Sequence, residues 1–120
     1  MASRRVVSDD FPFLPIRITI RRWDTEALAL VDTGFSGDLV VPEGSIPAHV
    51  GLPNYPMTYR VADDRFTTTG LFYGTLEIPR LSPIPRVSIG PLGSKYIIGL
   101  GIIERYVVTL ERGQRVTVET

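Results

Sequence analysis

Hydrophobic and polar residues alternate along several short stretches of the chain, and this pattern predicts β-strands rather than helices. In the first clear stretch, Ile16, Ile18 and Ile20 alternate with arginine and threonine, which indicates a half-buried strand. The last stretch, 115–119, alternates in the same way. Beyond its own hairpin it has no obvious partner, so we expect it to pair with another chain.

A different pattern precedes the residues of greatest chemical interest. Ala27 to Val31 are all apolar, and Asp32-Thr33-Gly34 follows them directly, with Phe-Ser-Gly at 35–37. Because the apolar run is too short for a confident helix, it predicts a strand buried on both faces that delivers one carboxylate to a tight turn. A buried carboxylate costs free energy unless other groups compensate it. Asp32 is therefore the first candidate for chemistry.

The polar segment 62–65 separates two stretches of strand-like alternation, so residues 57–69 are predicted to form a projecting hairpin. One alternative for Asp63 and Asp64 in this segment is a metal-binding pair. Adjacent side chains on an extended chain point apart, however, and no other carboxylate lies close in sequence. A solvated hairpin tip is the favoured interpretation.

Eleven glycines and ten prolines interrupt the chain, which favours short strands and turns and predicts an all-β protein. Tyr96 to Gly99 predict a short buried strand, and 100–105 leave room for one or two helical turns. Residues 1–12 are predicted to be a flexible tail, and 13–120 a single domain.

Composition excludes several classes of function. With 13 basic and 13 acidic side chains, the chain carries no net charge that would favour nucleic acid or an anionic membrane. It has no cysteine and a single histidine, His49, so disulfides, thiolate metal sites and multi-histidine metal sites within one chain are excluded. His49 is expected to be an exposed loop residue, and Trp23 a packed aromatic in the turn that leads into the apolar run. No apolar run reaches the ~20 residues of a membrane span, and a cytoplasmic protein is the default expectation.

From about residue 13 to 119 the order of motifs resembles the single-domain retropepsin-like aspartic proteases, and is most similar to their small prokaryotic members. The resemblance rests on Asp32-Thr33-Gly34 with the following Phe-Ser-Gly, the polar hairpin, and Ile97-Ile98-Gly99 before a helical turn. It implies a closed, mostly antiparallel β barrel with one short C-terminal helix, a flap hairpin over the active-site loop, and terminal strands shared between subunits. Two departures are visible. Position 101 is glycine where many relatives have Asp or Asn, and the tip lacks the glycines of the retroviral flap.

The resemblance also implies roles for particular residues. Asp32 would be the catalytic aspartate, Thr33 would hydrogen-bond to the partner's loop, and Gly34 would lie beside the bound peptide. The substrate-binding candidates come from the flap tip and from apolar positions near the scissile bond: Ala62, Asp63, Asp64, Arg65, Phe66, Leu30, Val41, Ile84, Ile97 and Ile98.

Aspartic proteolysis requires two carboxyl groups, one acting as a general base and one as a general acid. The chain has one Asp-Thr-Gly, so the hypothesis is a two-fold homodimer in which each subunit contributes Asp32 and which cleaves a peptide or protein substrate. Two alternatives stay open. One is the same fold as a dimeric peptide-binding or scaffold module with little activity. The other is a phosphotransferase with Asp32 as nucleophile, which lacks a phosphate-binding loop.

Overall fold

The computed structural model describes residues 4–60 and 62–120, and the side chain of Ala62 lies outside that description. Within these described ranges, ten strands, one α-helix and two 3₁₀ turns follow one another. The strands are β1 (Arg5–Ser8), β2 (Phe13–Ile20), β3 (Trp23–Val31), β4 (Leu39–Val41), β5 (Tyr55–Arg60), β6 (Phe66–Glu77), β7 (Ile84–Pro91), β8 (Ile97–Ile98), β9 (Val107–Glu111) and β10 (Arg115–Glu119). Helix α1 spans Leu100–Ile103, and the 3₁₀ turns span Ala48–Val50 and Ala62–Asp64.

Six strands close into a barrel in the order β2-β3-β8-β4-β7-β6, because β6 also pairs with β2. Most neighbours are antiparallel, but β3–β8 and β4–β7 run parallel. The predicted all-β class with a closed barrel and a short helix near the C-terminus is confirmed. No helix in the described ranges combines the length and the apolar character that a membrane crossing requires.

Strand β2 shows how the alternating pattern becomes the barrel core. Ile16, Ile18 and Ile20 are buried at 3%, 0% and 0% exposure, while Arg17 between them is exposed and pairs with Asp24 at 2.9 Å. The apolar run of β3 was predicted to be buried on both faces, and the structure corrects this prediction. Ala29 is fully buried, but Leu28 is 50% exposed on the outer surface, so the run is not buried on both faces.

The N-terminal segment corrects a second prediction. Residues 5–8 are not a flexible tail: β1 pairs along its whole length with β10, and Val6 is buried. Residues 1–3 of the predicted tail lie outside the described residues. Residues 9–12 connect β1 to β2, and the Pro12 carbonyl accepts a hydrogen bond from the Val31 N–H at 3.1 Å.

The terminal strands form a three-stranded sheet in the order β1-β10-β9. Strand β10 is the central strand, with β1 on one edge and β9 on the other. The prediction that 115–119 pairs with another chain is therefore wrong, because both edges of that strand are already hydrogen-bonded within the chain. Within residues 4–60 and 62–120, the edges of this sheet that remain open belong to β1 and β9.

Two neighbouring valines on β1 test this arrangement. Replacing the buried Val6 with alanine removes core contacts, and we expect Val6→Ala to lower the free energy of unfolding by about 2 kcal/mol. Val7 is 45% exposed, so Val7→Ala should cost less than about half as much. Urea unfolding followed by circular dichroism measures both. Equal, small effects would mean that the segment is a loose tail after all.

Candidate active site

Asp32 is the first residue after β3, and main-chain groups on both sides hold it. Its N–H donates to the Ile98 carbonyl at 3.0 Å, and its Oδ1 accepts a hydrogen bond from the Gly34 N–H at 2.8 Å. The parallel pairing of Leu30 with Ile97 and Val31 with Ile98 sets this position. Asp32 as a whole residue is half-buried. A charged carboxylate at a strand end is thus stabilised by a backbone donor from its own turn.

The loop after Asp32 is attached to the start of α1. The Leu100 N–H donates to the Phe35 carbonyl at 2.7 Å, the Gly101 N–H to the Gly37 carbonyl at 3.1 Å, and the Gly99 N–H to the Asp38 carbonyl at 2.9 Å. The first N–H groups of a helix have no acceptor inside the helix. Here the loop carbonyls satisfy them, so the short helix holds the loop from behind.

Two glycines allow this close approach. A Cβ on Gly99 would collide with the Gly37 carbonyl oxygen and the Phe35 ring, and a Cβ on Gly101 would collide with Oδ1 of Asp38. Glycine at 101, noted above as a departure from relatives, therefore has a steric reason. The Asp38 carboxylate occupies the space beside it, and its Oδ2 accepts a hydrogen bond from the Ser88 N–H at 2.9 Å.

The β5–β6 hairpin lies against this loop. The predicted hairpin is present, with Tyr59 paired to Thr67, and β6 continues beyond the prediction without a break at Gly70. The ring centroids of Tyr59 and Phe35 are 5.6 Å apart. Burial raises the pKa of Tyr59, with smaller contributions from Tyr55 and the Asp38 carboxylate in the same direction, so the phenol stays protonated at neutral pH.

Two pockets share the Phe35 and Tyr59 rings in their lining. The first, which we call the Asp32 pocket, has a volume of about 420 Å³ and is lined in part by the loop 92–95. The second, which we call the Asp38 pocket, has a volume of about 380 Å³ and extends toward Ser88. Together they form a cleft between the loop 34–38 and the β5–β6 hairpin, with Asp32 on its border.

The apolar residues predicted to line a pocket occupy three kinds of position in the structure. Ile97 lines the Asp32 pocket. Ile84, Ile98 and Val41 are buried in the core at 6%, 2% and 0% exposure, so the suggestion that they line a pocket is corrected. Leu30 is half-buried in β3 and borders neither of the two pockets. Apolar residues of this barrel fill its interior because the pleat directs alternate side chains inward.

The predicted flap tip is the exposed end of the hairpin. Asp63, Asp64, Arg65 and Phe66 are all exposed, and Asp64 pairs with Arg60 at 2.6 Å. None of these four lines the Asp32 or Asp38 pocket; the hairpin residues that do so are Met57 to Arg60 of β5 and Leu71 of β6. Within the described residues, no group of three His, Asp or Glu side chains is placed to hold a metal ion.

The remaining residues named from the sequence are Trp23 and His49. Trp23 is half-buried against the core and begins β3, so the turn lies at Arg21-Arg22 rather than at Trp23. His49 is exposed in the first 3₁₀ turn, as expected.

Sequence reasoning missed several residues that border the cleft, namely Phe35, Asp38, Tyr59 and the loop 92–95. The sequence did contain a signal for Tyr59. Tyr55, Met57 and Tyr59 lie two residues apart, so they share one face of the projecting strand. Asp38 carried none, because its acceptor role depends on a strand 50 residues away.

Comparison with known proteins supports the fold. The structure is similar to the crystal structure of a retropepsin-like aspartic protease from Rickettsia conorii, with a TM-score of 0.62. The match covers 98% of this chain and 92% of that one at 14% sequence identity. No family model matches the sequence, and no curated protein matches it. The chain therefore has the fold of the retropepsin-like aspartic proteases, and at this identity the likeness concerns the fold alone.

The contact at Gly99 gives a test of the loop attachment. We expect Gly99→Ala to lower the free energy of unfolding by about 1–3 kcal/mol, because the new methyl group meets a backbone oxygen that cannot turn away. Urea unfolding measures the effect, with Ser82→Ala in an exposed loop as the control. An unchanged midpoint for Gly99→Ala would show that the loop and the start of α1 are not in tight contact.

Proposed function

We propose that the chain is an aspartic endopeptidase that acts as a homodimer. The observation that carries the proposal is the placement of Asp32, a half-buried residue whose carboxyl is held by the Gly34 N–H and borders an open pocket beneath the β5–β6 hairpin. The fold likeness to an aspartic protease is consistent with this reading.

The chemistry explains the need for two copies. One carboxylate takes a proton from the attacking water, and one carboxylic acid protonates the carbonyl oxygen of the peptide. Two carboxyls about 3 Å apart share one proton, as is general for aspartic proteases. In the proposal a two-fold axis passes beside Asp32 and brings the same residue of the partner subunit to that distance. The mechanism calls on no metal or cofactor.

Neighbouring residues have supporting roles in the proposal. Thr33 is exposed, so its hydroxyl is available to the partner's loop, and exposed Gly34 leaves room for the peptide backbone. Substrate lies extended between the loop and the hairpin, bonded through its main chain like an added strand. Ile97 contacts a substrate side chain in the Asp32 pocket, and residues 62–66 serve as the tip of a flap that opens to admit the peptide.

The subunit contact in the proposal differs from the arrangement inferred from sequence. Because β10 is already paired on both edges, the terminal sheet can extend into a partner only through β1 or β9. The exposed Val107 on β9, at 59% exposure, and Val7 on β1 offer apolar surface there. The absence of cysteine fits a reducing compartment, and a cytoplasmic location belongs to the proposal.

The decisive test is cleavage of a mixed peptide library between about pH 3.5 and 7.5. Asp32→Asn is expected to lower the cleavage rate by at least about 100-fold, since an amide cannot act as the base or the acid. Asp10→Asn is the control, because Asp10 is exposed and lies outside both pockets. Mass spectrometry of the products measures the rates, and light scattering checks that the variant keeps its oligomeric state. Equal activity in wild type and Asp32→Asn would rule out this site.

The dimer is tested at Thr33. If the two threonine hydroxyls bond across the axis, Thr33→Val should raise the dimer dissociation constant by about tenfold or more. Thr25→Val on β3 is the matched control, since its hydroxyl makes only a long bond of 3.5 Å to the neighbouring Glu26 carbonyl. Sedimentation velocity over a range of concentrations measures the constant. A wild-type protein that stays monomeric while it cleaves peptides would contradict the two-chain site.

The second candidate function is a dimeric peptide-binding module without turnover. The contact between Tyr59 and Phe35 favours it, because the hairpin already rests on the active-site loop. Asp32 nevertheless borders an open pocket, which supports the protease as the first choice. The module would retain peptides with the same affinity in wild type and Asp32→Asn, and would release no products.

A further inference from the structure

The Asp38 pocket contains a carboxylate that the proposed chemistry does not use. It lies between the loop 34–38 and the β5 residues 57–60, with Leu71 and Ser88 at its inner end. Among the described residues, Asp38 is the only acidic one in the lining, and it is half-buried. Because this pocket shares Gly34 and Phe35 with the Asp32 pocket, a peptide bound at Asp32 would place a nearby side chain in it.

The charge of Asp38 is not compensated by a cation in the described part of the chain. Its Oδ2 accepts one hydrogen bond, from the Ser88 N–H, and no ion pair reaches it from the described residues. Arg60 is the one basic residue in the lining, but its Nη2 and Nε bond Oδ1 of Asp64 at 2.6 and 3.1 Å. Arg60 is thus engaged with Asp64 in an exposed ion pair, while no described cation pairs with Asp38 inside the cleft.

The walls of the pocket suit a long side chain with a charged end. Met57 and Leu71 supply apolar surface, and Ser36, Thr58 and Ser88 also line the pocket. The Thr58 hydroxyl bonds that of Thr68, and the Ser88 hydroxyl bonds that of Tyr55. Lysine and arginine bury an aliphatic stem along apolar surface and keep the charged group at a polar site. A charge-assisted hydrogen bond to a partly desolvated carboxylate is stronger than a neutral one.

We propose that the Asp38 pocket is a subsite for a lysine or arginine side chain of the peptide substrate, and that Asp38 is the residue that selects it. This inference rests on the proposed protease function, which it extends by naming a substrate class. A hydrophobic side chain in the pocket would displace water from the Asp38 carboxylate without forming a hydrogen bond in its place. A peptide with such a side chain would therefore bind less tightly. Acidic side chains would be repelled.

The test compares the sites that the wild type and Asp38→Asn cleave in one peptide library. We expect wild-type products to be enriched in Lys or Arg at one fixed position near the scissile bond. Asp38→Asn should lose the enrichment, with kcat/KM for basic peptides falling about tenfold relative to analogues that carry norleucine there. Asparagine keeps an oxygen acceptor for the Ser88 N–H, so the variant removes the charge and leaves the loop bond in place.

Controls separate this inference from the proposed function. Glu43→Gln makes the same charge change at an exposed residue outside both pockets and should leave the preference unchanged. Cleavage without any basic preference, or a preference that survives Asp38→Asn, would overturn the subsite while the protease function stands.

If the wild type cleaves nothing, the protease function fails, and fluorescence polarisation with labelled lysine and norleucine peptides decides the subsite. Tighter binding of the lysine peptide that Asp38→Asn abolishes would support it, and equal binding would overturn it.

Discussion

The attachment of the Asp32–Asp38 loop to the start of α1 is the contact on which the rest of the site depends. Three backbone N–H groups, from Gly99, Leu100 and Gly101, donate to carbonyls of the loop at 2.7–3.1 Å. These donors would otherwise be unsatisfied at the beginning of a helix, so one set of bonds completes both elements. The loop can approach this closely only because residues 99 and 101 have no side chain.

The cleft above this loop has two unlike halves. Arg60 borders both pockets and Lys95 borders the Asp32 pocket, whereas the other half holds the carboxylate of Asp38, which forms no ion pair with any described residue. The rings of Phe35 and Tyr59 stand between the halves. A carboxyl pair at the subunit axis would supply the chemistry of the proposal, and the side-chain charges on either side of the rings would supply its selectivity.

The terminal sheet shows why strand partners are harder to infer than strands. Alternation in 115–119 predicts a strand correctly, but the same alternation fits pairing with another chain or with β1. The structure has β1 on one edge of β10, because Val6, Val116 and Val118 bury together against the barrel. The partner was not evident because β1 is separated from β10 by more than 100 residues.

The sequence by itself determined the all-β class, the strand that leads into Asp32, the hairpin over 57–69 and the helical turn after Gly99. These follow from local alternation, turn residues and chain stiffness, which act over a few residues. Only the tertiary structure decided that Ile84 and Ile98 belong to the core, that Tyr59 meets Phe35, and that Asp38 bonds Ser88. Each of these depends on contacts between distant segments, because the closure of the barrel determines which side chains face its interior and which face the cleft.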